Sequence, residues 1–180
     1  PGELVIVNRQ LERRVNSPLT SSAGRLFDAV SALAGVRGEI DYEAQAAIEL
    51  EMLADENQGA SAVYPFSTVE RDGCRVAKLG ALVAAVIDDV KQGVPLGGIS
   101  TKFHWTMARM IADMCRAVSR DTGIKVVALS GGVFQNRLLF RIAIDGLRDE
   151  GFEVLTQRLV PCNDGGISLG QAAIANSAVS

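Results

Sequence analysis

Two hydrophobic periods alternate late in this chain. Lys125-Val126-Val127-Ala128-Leu129 is short, apolar and β-branched, the pattern of a buried strand. After Ser130-Gly131-Gly132 the period changes, and Leu138, Leu139, Ile142, Ala143 and Leu147 recur at helical spacing. The alternation repeats with an expected strand at 152–155, a loop at 160–166 and a last helix at 167–175. Upstream the pattern is mostly helical. One helix is expected over 23–33, with Leu26, Phe27, Val30 and Leu33 on one face. A second follows an Asp41 N-cap, with Ala44, Ala47, Ile48 and Leu53 turned inward. Others cover 79–90 and 100–120, the latter with Phe103, Met107, Met110, Ile111, Met114 and Val118 as its face. A methionine stripe at this spacing is expected to be core rather than a cofactor box. Residues 3–8, with Leu4, Val5, Ile6 and Val7, read as a short strand. Two more short strands are expected near 62–66 and 75–77, joined through Asp72-Gly73. Strands separated by helices argue an α/β domain.

Composition narrows the function classes. With 180 residues, 48% of them apolar, the chain can bury one good core or two small lobes. A net charge of −3 supplies no basic footprint for nucleic acid, so no nucleic-acid partner is expected. No apolar run reaches the length of a membrane span, and no membrane partner is expected. Cys74, Cys115 and Cys162 are odd in number, far apart and without a C-x-x-C, which fits a reducing, cytoplasmic setting. Cys74 and Cys115 are expected to be small buried hydrophobes. The start at Pro1, without a methionine, suggests a fragment of a longer chain.

The candidate chemistry gathers at two Gly-Gly turns, each after a strand and before a helix. At Gly131-Gly132 the missing Cβ lets a ligand approach the main chain, and the N–H groups of the following helix suit a phosphate or ribose. Asp164, beside Asn163 and before Gly165-Gly166, is read first as a helix N-cap and second as a hard metal ligand. Asp28 is either a solvated helix charge or an acceptor for ribose hydroxyls. The single histidine, His104, on an apolar helix, is expected to be structural. No Walker loop and no nucleophile elbow is present.

Four segments, in this order, closely resemble the C-terminal part of the HypF-type hydrogenase-maturation carbamoyltransferases. They are residues 21–30 (SSAGRLFDAV), 42–47 (YEAQAA), 129–136 (LSGGVFQN) and 161–171 (PCNDGGISLGQ). The resemblance covers nearly the whole chain. It implies an RNase H-like lobe of the actin-like, sugar-kinase and Hsp70 ATPase superfamily, with several added helices. Residues 1–180 would form the C-terminal lobe of a carbamoyl-transfer domain. It further implies binding of ATP or carbamoyl-adenylate made by a YrdC-like domain from carbamoyl phosphate. The carbamoyl group would then pass to the C-terminal cysteine of a HypE-like acceptor, on the way to a cyanide ligand of a nickel–iron hydrogenase. By matching motif, Gly131, Gly132 and Asn136 would line the adenosine and phosphate side. Gly24 and Asp28 would face ribose or the carbamoyl-phosphate linkage. Asp164 would give one ligand to a divalent metal, iron or zinc.

The chain departs from the family pattern in lacking the clustered histidines that complete that metal site in the preceding lobe. It also lacks the acylphosphatase-like, zinc-finger and YrdC-like domains. By itself it is therefore expected to be inactive, and no catalytic residue is assigned. Two other readings stay open: a non-catalytic nucleotide-binding or scaffold lobe, and a small-molecule kinase lobe of the same superfamily.

Overall fold

In the computed structural model, which describes residues 2–57 and 62–179, the helical periods become helices with small shifts in their ends. They are α1 (Gly2–Arg13), α2 (Ala23–Leu33), α3 (Gln45–Met52), α4 (Gly80–Lys91), α5 (Leu96–Thr122), α6 (Arg137–Asp149) and α7 (Ile167–Val179). The strands are β1 (Ser67–Arg71), β2 (Cys74–Lys78), β3 (Val126–Leu129) and β4 (Glu153–Thr156).

The long helix α5 is the spine, lying against α6, α3 and α4. Its inner face carries Ile99, Phe103, Met107 and Met110, all buried, so the methionines at 107 and 110 are core as expected. Phe27 of α2 meets Phe103 edge to face at 4.8 Å, the preferred arrangement for an aromatic pair. Leu139, Ile142, Ala143 and Leu147 of α6 complete the core from the other side.

β3, α6 and β4 form a strand–helix–strand crossover in which β3 and β4 pair in parallel, Val126 opposite Glu153 through Leu129 opposite Thr156. Among the described residues this sheet has only these two strands. Its outer positions stay open, with Val126 47% and Leu155 48% exposed. Both strands point their carboxyl ends toward the Gly-Gly loops, where open α/β sheets bind ligands. A hydrogen bond of 2.9 Å from Gln157 Nε2 to Ser130 Oγ ties the two strand ends together.

Four sequence expectations are corrected. Residues 3–8 are helical, not a strand. A run of four apolar residues does not tell strand from helix, and the run continues into Arg, Gln, Leu and Glu, which are good helix formers. None of α1 is buried. The first strand of the hairpin is Ser67–Arg71 rather than 62–66. Asp72 and Gly73 both take positive φ, the two-residue turn that fixes pairing immediately on either side, Arg71 with Cys74. Tyr64 instead enters the core, with its N–H donated to Thr106 Oγ1 at 2.7 Å. The second helix starts at Gln45, not after an Asp41 cap, because Gln45 folds back so that its Oε1 accepts the Asp41 N–H at 2.7 Å. Ala46 and Leu50 fill its buried face, while Ile48 and Leu53 stay over a third exposed. Cys74, finally, is exposed on the hairpin.

Removing the Phe103 ring takes out the partner of Phe27 at the centre of the core. Phe103→Ala is expected to lower stability by about 3–5 kcal/mol. Denaturant unfolding of the two proteins measures the difference.

Candidate functional site

The four sequence segments converge on one cleft of about 650 Å³. The start of α2 contributes Ser22, Gly24 and Phe27, and α3 contributes Ala47, Ile48 and Glu51. The opposite side is made by Gly132, Val133, Gln135 and Asn136, with Asn163 and Asp164 from the last loop. Ala44, Ala47 and Ile48, expected to face the core, are therefore an apolar wall of the cleft.

The glycines divide by what the fold requires of them. Gly131 has φ +105°, where a side chain is strained, and its N–H is donated to the Cys162 carbonyl at 2.7 Å, joining the two Gly-Gly loops. Gly165 and Gly166 are pressed against Pro161, so that an added Cβ would lie 2.9 and 2.8 Å from its atoms. Gly24 and Gly132 face no such constraint. A Cβ on Gly132 would meet only Asn163 Cβ, at 4.0 Å, and one on Gly24 only Ser22 Oγ, at 3.6 Å. Alanine would even favour helix α2 by about 1 kcal/mol. Both positions leave room on the cleft that packing does not need.

The donors differ from the sequence expectation. The first N–H groups of α6 are already used: Leu138 N–H goes to Glu51 Oε1 at 3.1 Å and Leu139 N–H to Asn136 Oδ1 at 2.8 Å. The N–H groups of Gly132 and Val133, one turn earlier, have no acceptor among the described residues. The loop rather than the helix N-terminus presents the free donors.

Behind this loop lies His104, fully buried on α5. One ring nitrogen, Nδ1, is 2.8 Å from the Ser100 carbonyl and the other, Nε2, is 2.8 Å from Asn136 Nδ2. The polarity of the whole chain is fixed at its ends. The Leu139 N–H can only donate, which sets Oδ1 as the acceptor and leaves Nδ2 to donate to His104 Nε2. The Ser100 carbonyl can only accept, so the proton of His104 sits on Nδ1. Protonated Nε2 would face another donor, and the ring must be neutral. Burial lowers the His104 pKa from its ordinary value, against the opposing effects of the Ser100 carbonyl and the Glu51 charge.

Residues 2–171 match the family described as "Carbamoyltransferase, Kae1-like Domain, second subdomain". The chain belongs to the HypF carbamoyltransferase family. The carbamoyltransferase HypF of Synechocystis is 37% identical over 163 residues, 91% of this chain but 20% of that protein. A crystal structure of full-length HypF in the phosphate- and nucleotide-bound form superposes with a TM-score of 0.93 at 43% identity, over 99% of this chain and 23% of that one. The HypF of T. kodakarensis superposes with a TM-score of 0.83 at 26% identity, over 98% of this chain and 22% of that one. The chain thus spans about a fifth of the length of the HypF proteins it matches. The expected fold class, an α/β lobe of RNase H-like type, agrees with these matches.

Of the residues singled out by resemblance to HypF, Gly24, Gly132, Asn136 and Asp164 line the cleft, and Gly131 sets the turn beside it. Asp28 is not brought in. It forms an ion pair with Arg25, one turn earlier on α2, at 3.2 Å and lies outside the cleft lining. Asp164 is not the cap that its position suggested, because Asn163 does that work, its Oδ1 accepting the Gly165 N–H at 3.1 Å. The Asp164 carboxylate is exposed and has no partner among the described residues. Those residues hold no group of three or more His, Cys, Asp or Glu placed for a metal ion. Glu51 was missed in the sequence, where a carboxylate late in a helix gives no signal of a partner 87 residues away.

The neutral state of His104 makes stability depend on pH. The unfolded chain takes up a proton below about pH 6.5 and the folded chain resists it, so stability is full above that value and lost as pH falls through it. The slope expected from this one group is at most about 1.4 kcal/mol per pH unit. Unfolding curves across that range should show it, and His104→Gln, which cannot titrate, should remove it.

Proposed function

We propose that the cleft binds the adenine nucleotide of a carbamoyl-transfer reaction, as ATP or carbamoyl-adenylate. The observation that carries this reading is the pair of glycines, Gly24 and Gly132, which face the cleft from opposite walls without any packing demand. The free N–H groups of Gly132 and Val133 suit phosphate or ribose oxygens. Ala44, Ala47 and Ile48 suit an apolar ring. The full-length HypF relative, in its phosphate- and nucleotide-bound form, supports the same reading.

In this proposal the chain is the C-terminal lobe of a two-lobed transfer domain, and a preceding lobe closes the cleft. Its own residues hold and orient the nucleotide. Gly24 sits against the ribose or the acyl-phosphate linkage, and Asn136 and the Gly131-Gly132 turn against the adenosine and phosphate side. The place of Asp28 in such a site is less direct, given its pairing with Arg25. The carbamoyl acceptor is the terminal cysteine of a HypE-like protein in hydrogenase maturation. The three free cysteines accord with a cytoplasmic protein. Without the preceding lobe to close the cleft, the chain alone does not exclude water from a reactive adenylate and transfers nothing by itself. The exposed apolar residues of α1 and α7, such as Leu4 and Ile174, are the surface on which neighbouring parts of the longer protein settle.

Gly132→Val fills the open side of the loop. The affinity of the two-lobed protein for AMP or ATP, measured by calorimetry, is expected to fall roughly ten- to hundredfold, the scale of 1–3 kcal/mol for overfilling a packed space. Unchanged affinity in a folded variant would overturn the nucleotide assignment.

For Asp164 the proposal is a single carboxylate offered to a divalent ion, iron or zinc, whose other ligands come from the preceding lobe. Asp164→Asn in the two-lobed protein should then lower the bound metal measured by elemental analysis, because an amide is a poorer ligand for a hard cation. Full metal content in that variant would leave Asp164 no part in the site.

A further inference from the structure

We infer that His104 is a positioning residue for the nucleotide loop, acting through Asn136. The inference rests on the nucleotide reading of the cleft. Asn136 is 9% exposed, lines the cleft, and sits between two fixed partners. Its Oδ1 holds the Leu139 N–H and one hydrogen of its Nδ2 goes to His104 Nε2. The second Nδ2 hydrogen has no acceptor among the described residues. His104 thus decides where a free amide donor of the cleft points. It also sets the position of the backbone that follows Gly132 and Val133, since the Asn136 N–H is donated to the Val133 carbonyl at 3.2 Å.

The same ring reaches the other walls. Its Nδ1–H is anchored on Ser100, whose hydroxyl donates to the Leu50 carbonyl of α3. It meets Phe27, which lines the cleft from α2, edge to face with ring centroids 5.3 Å apart. One buried side chain therefore touches Phe27 of α2 and Asn136 of the loop directly and reaches α3 through Ser100. A purely structural histidine could be replaced by an apolar side chain of similar size with little change in the cleft. A positioning one could not, because Asn136 would lose the acceptor that orients it.

The test uses the two-lobed protein, AMP as the probe, and two variants. His104→Gln keeps an acceptor that can take the place of Nε2, and His104→Leu keeps bulk without one. AMP affinity is expected to stay close to wild type in His104→Gln and to fall about tenfold in His104→Leu, the scale of one lost buried hydrogen bond. The backbone amide resonances of Gly132 and Val133 should move in free His104→Leu and stay in His104→Gln. In the unaltered protein, nitrogen NMR should find the Nδ1–H tautomer and a coupling across the bond from Asn136 Nδ2 to His104 Nε2, a measurement that needs no variant to fold. Equal AMP affinity in wild type and a folded His104→Leu, or the opposite tautomer, would overturn the positioning role while leaving the nucleotide site standing. Absence of AMP binding by the wild type would overturn the nucleotide reading and this role with it.

Discussion

Everything at the cleft hangs on a short row of hydrogen bonds whose ends cannot be reversed. A backbone N–H at Leu139 and a backbone carbonyl at Ser100 leave the Asn136 amide and the His104 ring one arrangement each. Buried polar chains of this kind are costly when one link fails and specific when all hold. Here the links join α3, α5 and α6, so the walls of the cleft are set relative to one another by polar geometry as well as by the apolar core. Hydrophobic packing alone brings helices together without fixing small rotations. The histidine chain supplies that direction.

The two Gly-Gly turns look alike in sequence and are physically different. Gly165 and Gly166 are glycine because Pro161 leaves them no space, and Gly131 because of its backbone angle. Gly132 is glycine for neither reason, and it is the one on the cleft. The strand ends, the parallel crossover and the Gln157–Ser130 bond bring these loops to the same edge.

Much of the fold was legible as period. Residues 23–33 show a helical stripe strong enough that α2 falls on those bounds, and Val126–Leu129 is the strand that its β-branched run implied. Period failed where it was ambiguous, as in the four apolar residues that open α1, or where a side chain overrode it, as with Gln45 and Asp41. The cleft was legible only in part. Gly24, Gly132, Asn136 and Asp164 stood in recognisable segments. Ala47 and Ile48 read as core, because an apolar wall of a cleft and an apolar wall of a core have the same sequence pattern. The role of His104 was invisible, since it depends on Asn136, 32 residues away, and on the fixed polarity of two backbone groups. Asp28 differs again: its segment lies at the cleft while its side chain pairs with Arg25.

A parallel pair of strands ordinarily sits inside a larger sheet with both edges met. In the described residues β3 and β4 have only each other, and apolar side chains such as Val126 and Leu155 remain open beside unpaired backbone groups. Such an edge accepts any extended chain that reaches it first, including another copy of the same one. For this chain in a test tube, pairing through that edge is therefore a hazard that grows with concentration. Loss by that route follows how often two molecules meet, and dilution slows it where a higher melting temperature does not.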